Sequence, residues 1–400
     1  MILRKHNDAF LLALRSLVYA RPGDDGIEYL EIAFDFFTMI HSTVMQNRSF
    51  LALLAALTIA VTTGCVDSGD MVTPGKTASE AEPTVSREQS PQESRMINAP
   101  EGTVISVVPK SLDNPVFLDT KQSVEQTAKR LGIAVEWVGP FSSESQSQVE
   151  VIEWLARRRV DGILVSANDP DALTPAINHA MAAGIRVATF DSDAPDSERL
   201  FYTGTDNVAA GARGAEVVLD LLESEGFPQV RGEREPAEIV VITGREEALN
   251  LQQRIDGFRA GLEGSATKIV ELLYCDDDMN LAVQLTEQAA SREPDVIFFV
   301  GGWVFYAPPE SLTRYQEWLA EGGVAVTIDK HYPVLRALKE GLIQSAVGQN
   351  FKQMGEVGLR KLQEALDGRP VEEVYYTPIE VVNRDNVDRY LAEAPNFEIR

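Results

Sequence analysis

The stretch that decides the fold is DGILVSANDPDALTPAINHAMAAGIRVATFDSDAPDSERLFYTGTDN, residues 161–207. It contains two short apolar runs, at 162–166 and 186–190, separated by a segment in which apolar residues recur with helical spacing. Gly184 lies between the helical segment and the second run, where the C-cap glycine of a helix is expected. Two strands joined by a helix of this length predict a parallel β-α-β unit.

The same alternation continues on both sides of this stretch. Further strands are predicted at Thr103–Val108, Ile133–Val138, Glu238–Ile242, Ile269–Leu273, Val296–Val300 and Val324–Ile328. The series is too long for one small sheet, and the turn YTGTDNVAAG near residue 205 favours a crossing between two lobes. We therefore predict an α/β fold of two doubly wound parallel-sheet lobes covered by helices.

Composition excludes several classes of protein. The 400 residues, 44% of them hydrophobic, are enough for two domains. A net charge of −25 repels phosphate backbones and argues against a nucleic-acid partner. Two cysteines, Cys65 and Cys275, do not imply a disulfide framework, and the four histidines lie too far apart to suggest a zinc site. The sequence predicts neither a metal nor a cofactor.

The segment before the fold is typical of an exported protein. In residues 45–65, Arg48 precedes an apolar run of 12 residues, which is too short to span about 30 Å of hydrocarbon. The run ends in VTTGC, which resembles the cleavage box of bacterial lipoproteins and implies lipidation of Cys65. The alternative is an ordinary secretory signal with a free cysteine. We expect translation to begin at Met45, which makes residues 1–44 doubtful; a genuine N-terminal extension is the alternative.

Residues 66–100 predict a flexible linker, because they are rich in Ser, Glu, Pro and Thr and lack apolar periodicity. With a lipidated Cys65, the linker would tether the domain to a membrane in the periplasm or at the cell surface. We expect a monomer that touches the membrane through its lipid anchor only.

Polar side chains follow the predicted strands at the edge where open parallel sheets bind ligands. The segments that follow the strands are PKSLDNPVF, SANDPDA, DSDAPDS, GGWVF and DKHYP, with VGQN near residue 349. Their carboxylates and amides suit hydroxyl groups, while Phe117 and Trp303 suit the C–H face of a sugar ring. The set predicts a site for a monosaccharide or a similar polyol. Some members have an ordinary structural explanation, since Asn114 and Asn168 could cap helices and Phe117 could belong to the core.

These segments also carry a family resemblance, which extends from Gly102 to the C-terminus. The domain resembles bacterial periplasmic sugar-binding proteins of the ribose-binding type, the solute receptors of ABC importers. The resemblance is carried by DNPVF at 113–117, the stretch at 161–207, QQRIDGF at 252–258, REPDVIFFVGG at 292–302 and VTIDKHYPVLRALKEGLIQSAVGQN at 326–350. It implies a type I periplasmic binding protein fold, in which a three-strand hinge joins the lobes. The implied lobes are 101–206 plus 350–380 and 207–349 plus 381–400.

The resemblance also implies a set of ligand contacts. These are Asn114, Phe117, Ser166, Asn168, Asp191, Gln252, Arg254, Trp303, Asp329 and Gln349. Four positions depart from ribose binders: Val116 replaces an aromatic residue, Ser192 and Gln252 replace arginines, and Trp303 replaces an asparagine. The departures point to a sugar or sugar-like ligand other than ribose.

The function that the resemblance implies is ligand capture by closure of the lobes and delivery to an ABC permease complex. A receptor subunit for a transmembrane kinase or chemoreceptor is an alternative that the sequence does not distinguish. An enzyme is disfavoured, because the acidic turn CDDDMN at 275–280 comes with no nucleophile–base pair or glycine-rich phosphate loop. A transcription regulator is disfavoured too, because a signal and an acidic linker stand where a basic helix-turn-helix would be needed.

Overall fold

The computed structural model describes residues 102–224 and 235–394. The predicted extension, signal and linker, with Cys65, lie outside the described residues, as do residues 395–400. Strands within the described part are β1 Val104–Val108, β2 Ala134–Trp137, β3 Gly162–Val165, β4 Arg186–Phe190, β5 Tyr202–Gly204, β6 Ala237–Thr243, β7 Thr267–Tyr274, β8 Val296–Phe299, β9 Val324–Ile328, β10 Ser345–Gly348, β11 Val374–Tyr376 and β12 Glu380–Asn383.

Helices connect most of these strands. They are α1 Leu118–Leu131, α2 Ser145–Arg158, α3 Pro170–Ala182, α4 Asn207–Ser224, α5 Leu249–Gly261, α6 Met279–Ala290, α7 Thr313–Ala320, α8 Tyr332–Glu340, α9 Phe351–Leu366 and α10 Val387–Glu393. Short 3-10 helices span Pro115–Phe117, Trp303–Tyr306 and Pro309–Ser311. None of the described helices is long and apolar enough to cross a membrane.

The strands form two six-stranded sheets with matching order. The first sheet runs β11-β5-β4-β3-β1-β2 and the second runs β12-β10-β9-β8-β6-β7. Neighbouring strands are parallel, except that β10 and β12 are antiparallel. In each sheet the strand order reverses next to its first strand, which is the switch point where doubly wound folds bind ligands. The predicted α/β fold of two doubly wound lobes is confirmed.

Most strands consist of apolar residues, because helices cover both faces of each sheet and bury these side chains. In β3, Ile163 and Val165 belong to a cluster with residues of α2 and α3, whereas Leu164 points to the opposite cluster with residues of α1 and α9. All three side chains are fully buried. The alternation follows from the two-residue period of a strand and gives each lobe a core on both sides of its sheet.

The chain passes between the sheets three times. It crosses after β5, after β10 and between β11 and β12. Residue 380, which the sequence boundaries assign to the first lobe, is the first residue of β12 in the second sheet. The first two crossings bring Thr205 and Gln349 together, because the Thr205 hydroxyl donates to Oε1 of Gln349 at 2.9 Å.

Candidate ligand-binding site

A cavity lies between the two lobes, at the carboxyl ends of the strands. Of the predicted ligand residues, the cavity is lined by Asn114, Phe117, Asp191, Arg254, Trp303, Asp329 and Gln349. Asp191, Asp329 and Gln349 come directly after β4, β9 and β10, so the ends of parallel strands place them at the cavity.

Asp191 supplies a buried carboxylate on the wall of the first lobe. It has a left-handed φ of 58°, and its Oδ2 accepts a hydrogen bond from the Ser166 hydroxyl at 2.7 Å. Its Oδ1 lies 4.0 Å from a guanidinium nitrogen of Arg254 on the second lobe. Burial raises the pKa of Asp191, and the cations Lys110 and Arg254 oppose that shift.

Arg254 is the cation that faces Asp191, and three hydrogen bonds hold its guanidinium group. Its Nε donates to Oδ1 of Asn207 at 2.9 Å, its Nη1 to the carbonyl of Val300 at 3.1 Å, and its Nη2 to Oε1 of Gln349 at 2.8 Å. The side chain is 2% exposed, although it belongs to helix α5. Because these three acceptors fix the planar guanidinium, it presents a rigid positive group to the cavity.

Asp329 supplies a second carboxylate on the second lobe, in a left-handed conformation with a φ of 103°. Its Oδ1 accepts from Nε2 of Gln349 at 2.6 Å, and its Oδ2 accepts from the backbone N–H of Gly302 at 3.0 Å. Burial raises the pKa of Asp329, and Arg254 together with the hydrogen bond from Gln349 opposes that shift. Asp329, Gln349 and Arg254 therefore form one hydrogen-bonded network.

Aromatic side chains line the cavity from both lobes. Phe117 packs edge-on against Phe190 at 6.0 Å and Phe351 at 5.9 Å between ring centroids, so it belongs to the core and to the cavity wall at once. Trp303 is partly buried and lies close to Gly244, where an added Cβ would come within 2.7 Å of the indole. A rigid ring on each lobe suits the apolar face of a sugar.

Three predicted ligand residues are not among the residues that line the cavity in this structure. Ser166 lies behind Asp191 as its donor, and Asn168 is buried with its Nδ2 donating to the carbonyl of Lys110 at 2.9 Å. Gln252 is exposed and donates to the carbonyl of Glu246. It stands two residues before Arg254 on α5, so about 200° of helical rotation turns it away from the cavity.

Sequence reasoning missed two charged residues of the cavity wall. Lys110 is 6% exposed, and its Nζ donates across the gap to Oδ1 of Asn250 at 2.9 Å. Burial lowers the pKa of Lys110, opposed by Asp191 and Asp277. Asp277 also lines the cavity, although its acidic turn suggested a solvated loop. Both residues follow strands, β1 and β7, at the ligand-binding edge, and this placement is the signal that could have identified them.

Direct contacts join the lobes around the cavity. Besides the Lys110–Asn250 hydrogen bond, Nε of Arg245 donates to the hydroxyl of Ser143 at 2.9 Å. Lys110 and Ser143 belong to the first lobe, whereas Asn250 and Arg245 belong to the second. Among the residues that the structure describes, no group of three or more His, Cys, Asp or Glu side chains is arranged to hold a metal ion.

Comparison with known proteins agrees with this architecture. Residues 105–370 match the periplasmic binding protein domain family. The D-allose-binding periplasmic protein of Escherichia coli K12 is 26% identical over 273 residues, which cover 65% of this chain and 83% of that protein. The ribose import binding protein RbsB of Bacillus subtilis 168 is 23% identical over 274 residues, covering 68% and 84%.

A similar solved structure is that of an ABC transporter solute binding protein from Burkholderia graminis C4D1M in complex with D-arabinose. It shares 30% sequence identity and superposes with a TM-score of 0.65, covering 71% of this chain and 96% of that chain. The family match extends over more than half of the present sequence and over both described lobes. The chain therefore belongs to the family of periplasmic binding proteins.

Proposed function

We propose that the protein is an extracytoplasmic solute-binding protein that captures a monosaccharide between its lobes and delivers it to an ABC importer. The observation that carries the proposal is the cavity itself. It brings the Asp191 carboxylate of one lobe together with Arg254 and Asp329 of the other, and Phe117 and Trp303 line the same cavity. Charged hydrogen-bonding groups between aromatic walls match a ring that has hydroxyls on its edge and C–H groups on its faces.

Capture would proceed by closure of the lobes. Because the polar groups belong to both lobes, a ligand completes its contacts only when the lobes meet, and it therefore shifts the population toward the closed form. Gln349 lies at the second crossing and contacts Arg254 and Asp329, so the ligand site and the hinge share a residue. The permease complex would then recognise the closed shape.

We further propose that the protein is anchored at a membrane and that it does not convert its ligand. Lipidation of Cys65 would hold the domain at a membrane in the periplasm or at the cell surface, and residues 66–100 would act as its tether. We propose that the protein binds its ligand without converting it, because Asp191 and Asp329 of the cavity accept hydrogen bonds from the protein's own donors. The relatives compared above are named as binding proteins.

A thermal-shift screen tests the proposed function. We expect one aldopentose, aldohexose or deoxyhexose to raise the unfolding temperature, since ligand at a hundred times its dissociation constant adds about 2.7 kcal/mol of stability. Amino acids and dicarboxylates serve as controls and should leave the unfolding temperature unchanged. A shift produced by such a control solute, with none produced by any sugar, would refute the proposal.

A further inference from the structure

Besides Oδ1 of Asp277, two buried polar atoms on the second-lobe wall of the cavity have no hydrogen-bond partner within the described part of the chain. They are the hydroxyl oxygen of Tyr306 and Nδ1 of His331. Both residues line the cavity, and their rings stack with centroids 4.6 Å apart and planes 22° apart. Buried polar atoms in native proteins are rarely left unpaired, so these two indicate hydrogen bonds that a ligand would complete.

Local structure holds this pair in place. Tyr306 ends the short 3-10 helix Trp303–Tyr306, and His331 directly precedes helix α8. The imidazole of His331 is 7% exposed and packs on Gly302, where an added Cβ would lie 2.5 Å from Nε2. Only a glycine at position 302 leaves room for the ring, so the pair presents fixed groups to the ligand.

Both groups are uncharged at neutral pH. Burial lowers the pKa of His331 to about 3 and raises the pKa of Tyr306 well above its usual range. The charged groups that act on Tyr306 are Asp329 and Asp119, and both are acidic. A neutral hydroxyl can both donate to Nδ1 of His331 and accept from the hydroxyl of Tyr306, which suits this pair.

Val116 of the first lobe lines the same cavity as this pair. It stands at the position where the resemblance to ribose binders implies a second aromatic residue. Asp119, three residues further along, lines a second pocket together with His331, so this end of the first lobe lies near the pair. A valine is smaller than an aromatic ring and therefore leaves more room in the cavity that holds the two unpaired polar atoms.

We infer that Val116, Tyr306 and His331 form a subsite for an uncharged exocyclic group of the ligand, namely the hydroxymethyl group of a hexopyranose. The inference rests on the proposed function, since it assumes a monosaccharide in the cavity. A pentopyranose lacks this group and leaves both polar atoms unpaired. The subsite therefore makes the protein selective for a hexose over the pentose of the same ring configuration.

Calorimetric titration of the full chain with matched sugars tests the subsite. Each pair differs only in the hydroxymethyl group: D-allose and D-ribose, D-glucose and D-xylose, D-galactose and L-arabinose, D-mannose and D-lyxose. We expect the best hexose to bind at least about tenfold more tightly than its pentose. Tyr306→Phe should weaken hexose binding about tenfold and leave pentose affinity within about twofold. Val116→Phe fills the space and should abolish hexose binding while pentose binding remains.

A matched control removes a hydroxyl elsewhere in the second lobe. Tyr315→Phe deletes a buried hydroxyl that donates to the carbonyl of Leu342 at 2.6 Å, outside the cavity, and should leave both affinities unchanged. Equal binding of hexose and pentose, or an equal loss of both in Tyr306→Phe, overturns the subsite while sugar binding stands. If none of the eight sugars binds the unaltered protein, the subsite is overturned, and the thermal-shift screen decides separately whether the protein binds another sugar.

Discussion

Replacing Arg254 by methionine is expected to abolish ligand binding and to lower the free energy of unfolding by about 3–5 kcal/mol. Methionine retains the apolar stem of the side chain but removes all three donated hydrogen bonds. Asp191, 4.0 Å away, would lose the facing cation, and Asn207 would lose its donor. Buried groups left without their partner cost more than the pair itself contributes, because they have also lost their solvation.

Urea unfolding and sugar titration measure the two effects of this change. Arg259→Met on the same helix is the matched control, since its guanidinium lies 3.7 Å from Asp256 with 53% of the side chain exposed. Exposed ion pairs contribute little, so the control should change stability by no more than about 0.5 kcal/mol and retain affinity. Sugar affinity at the unaltered level in Arg254→Met would show that the guanidinium is not part of the site.

Asp329→Asn is expected to weaken sugar binding by at least about a hundredfold while the fold persists. Both carboxylate oxygens of Asp329 accept hydrogen bonds, one from Gln349 and one from the N–H of Gly302. An asparagine offers one acceptor oxygen only, so its amide N–H group must face one of these donors. The repulsion disturbs the network that holds Gln349 and Arg254 in the cavity. Asparagine tolerates a left-handed φ, so the backbone can keep its conformation.

The affinity of Asp329→Asn is measured by calorimetry, with far-ultraviolet circular dichroism to verify the fold. Asp385→Asn makes the same chemical change at an exposed position of the second lobe, in the turn before α10. That control should bind sugar with unaltered affinity. A loss smaller than about threefold in Asp329→Asn would remove this carboxylate from the site.

The sequence predicts the fold well where strands are buried on both faces. Of the eight predicted strands, β1, β3, β4, β6, β8 and β9 are largely buried apolar runs because helices cover both sides of each sheet, whereas β2 and β7 are half-buried edge strands. The four strands that the patterns did not predict, β5, β10, β11 and β12, are three or four residues long and flank the crossings between lobes. Their composition, as in YTG and EVVN, is mixed, because partner strands from elsewhere in the chain define them.

The residues of the site also fall into those that the sequence could place and those that it could not. Residues directly after a strand, such as Asp191 and Asp329, could be placed from the sequence, because the end of the strand sets their position. The direction of a helical side chain could not be placed without the helix packing, and Gln252 lies on the outer face for that reason. Lys110 and Asp277 were missed because residue type alone predicts a solvated surface for lysine and aspartate. In the structure, Lys110 is held by its hydrogen bond to Asn250 of the other lobe, and Asp277 of that lobe acts on it electrostatically.

The central claim is that one sugar occupies the cavity and touches both lobes. A crystal structure of the protein with the sugar that gives the largest thermal shift tests it most directly. The account predicts the sugar between Asp191 of the first lobe and Asp329 of the second, with its ring against Phe117 or Trp303. A sugar bound outside this cavity, or held by residues of one lobe alone, would contradict the account.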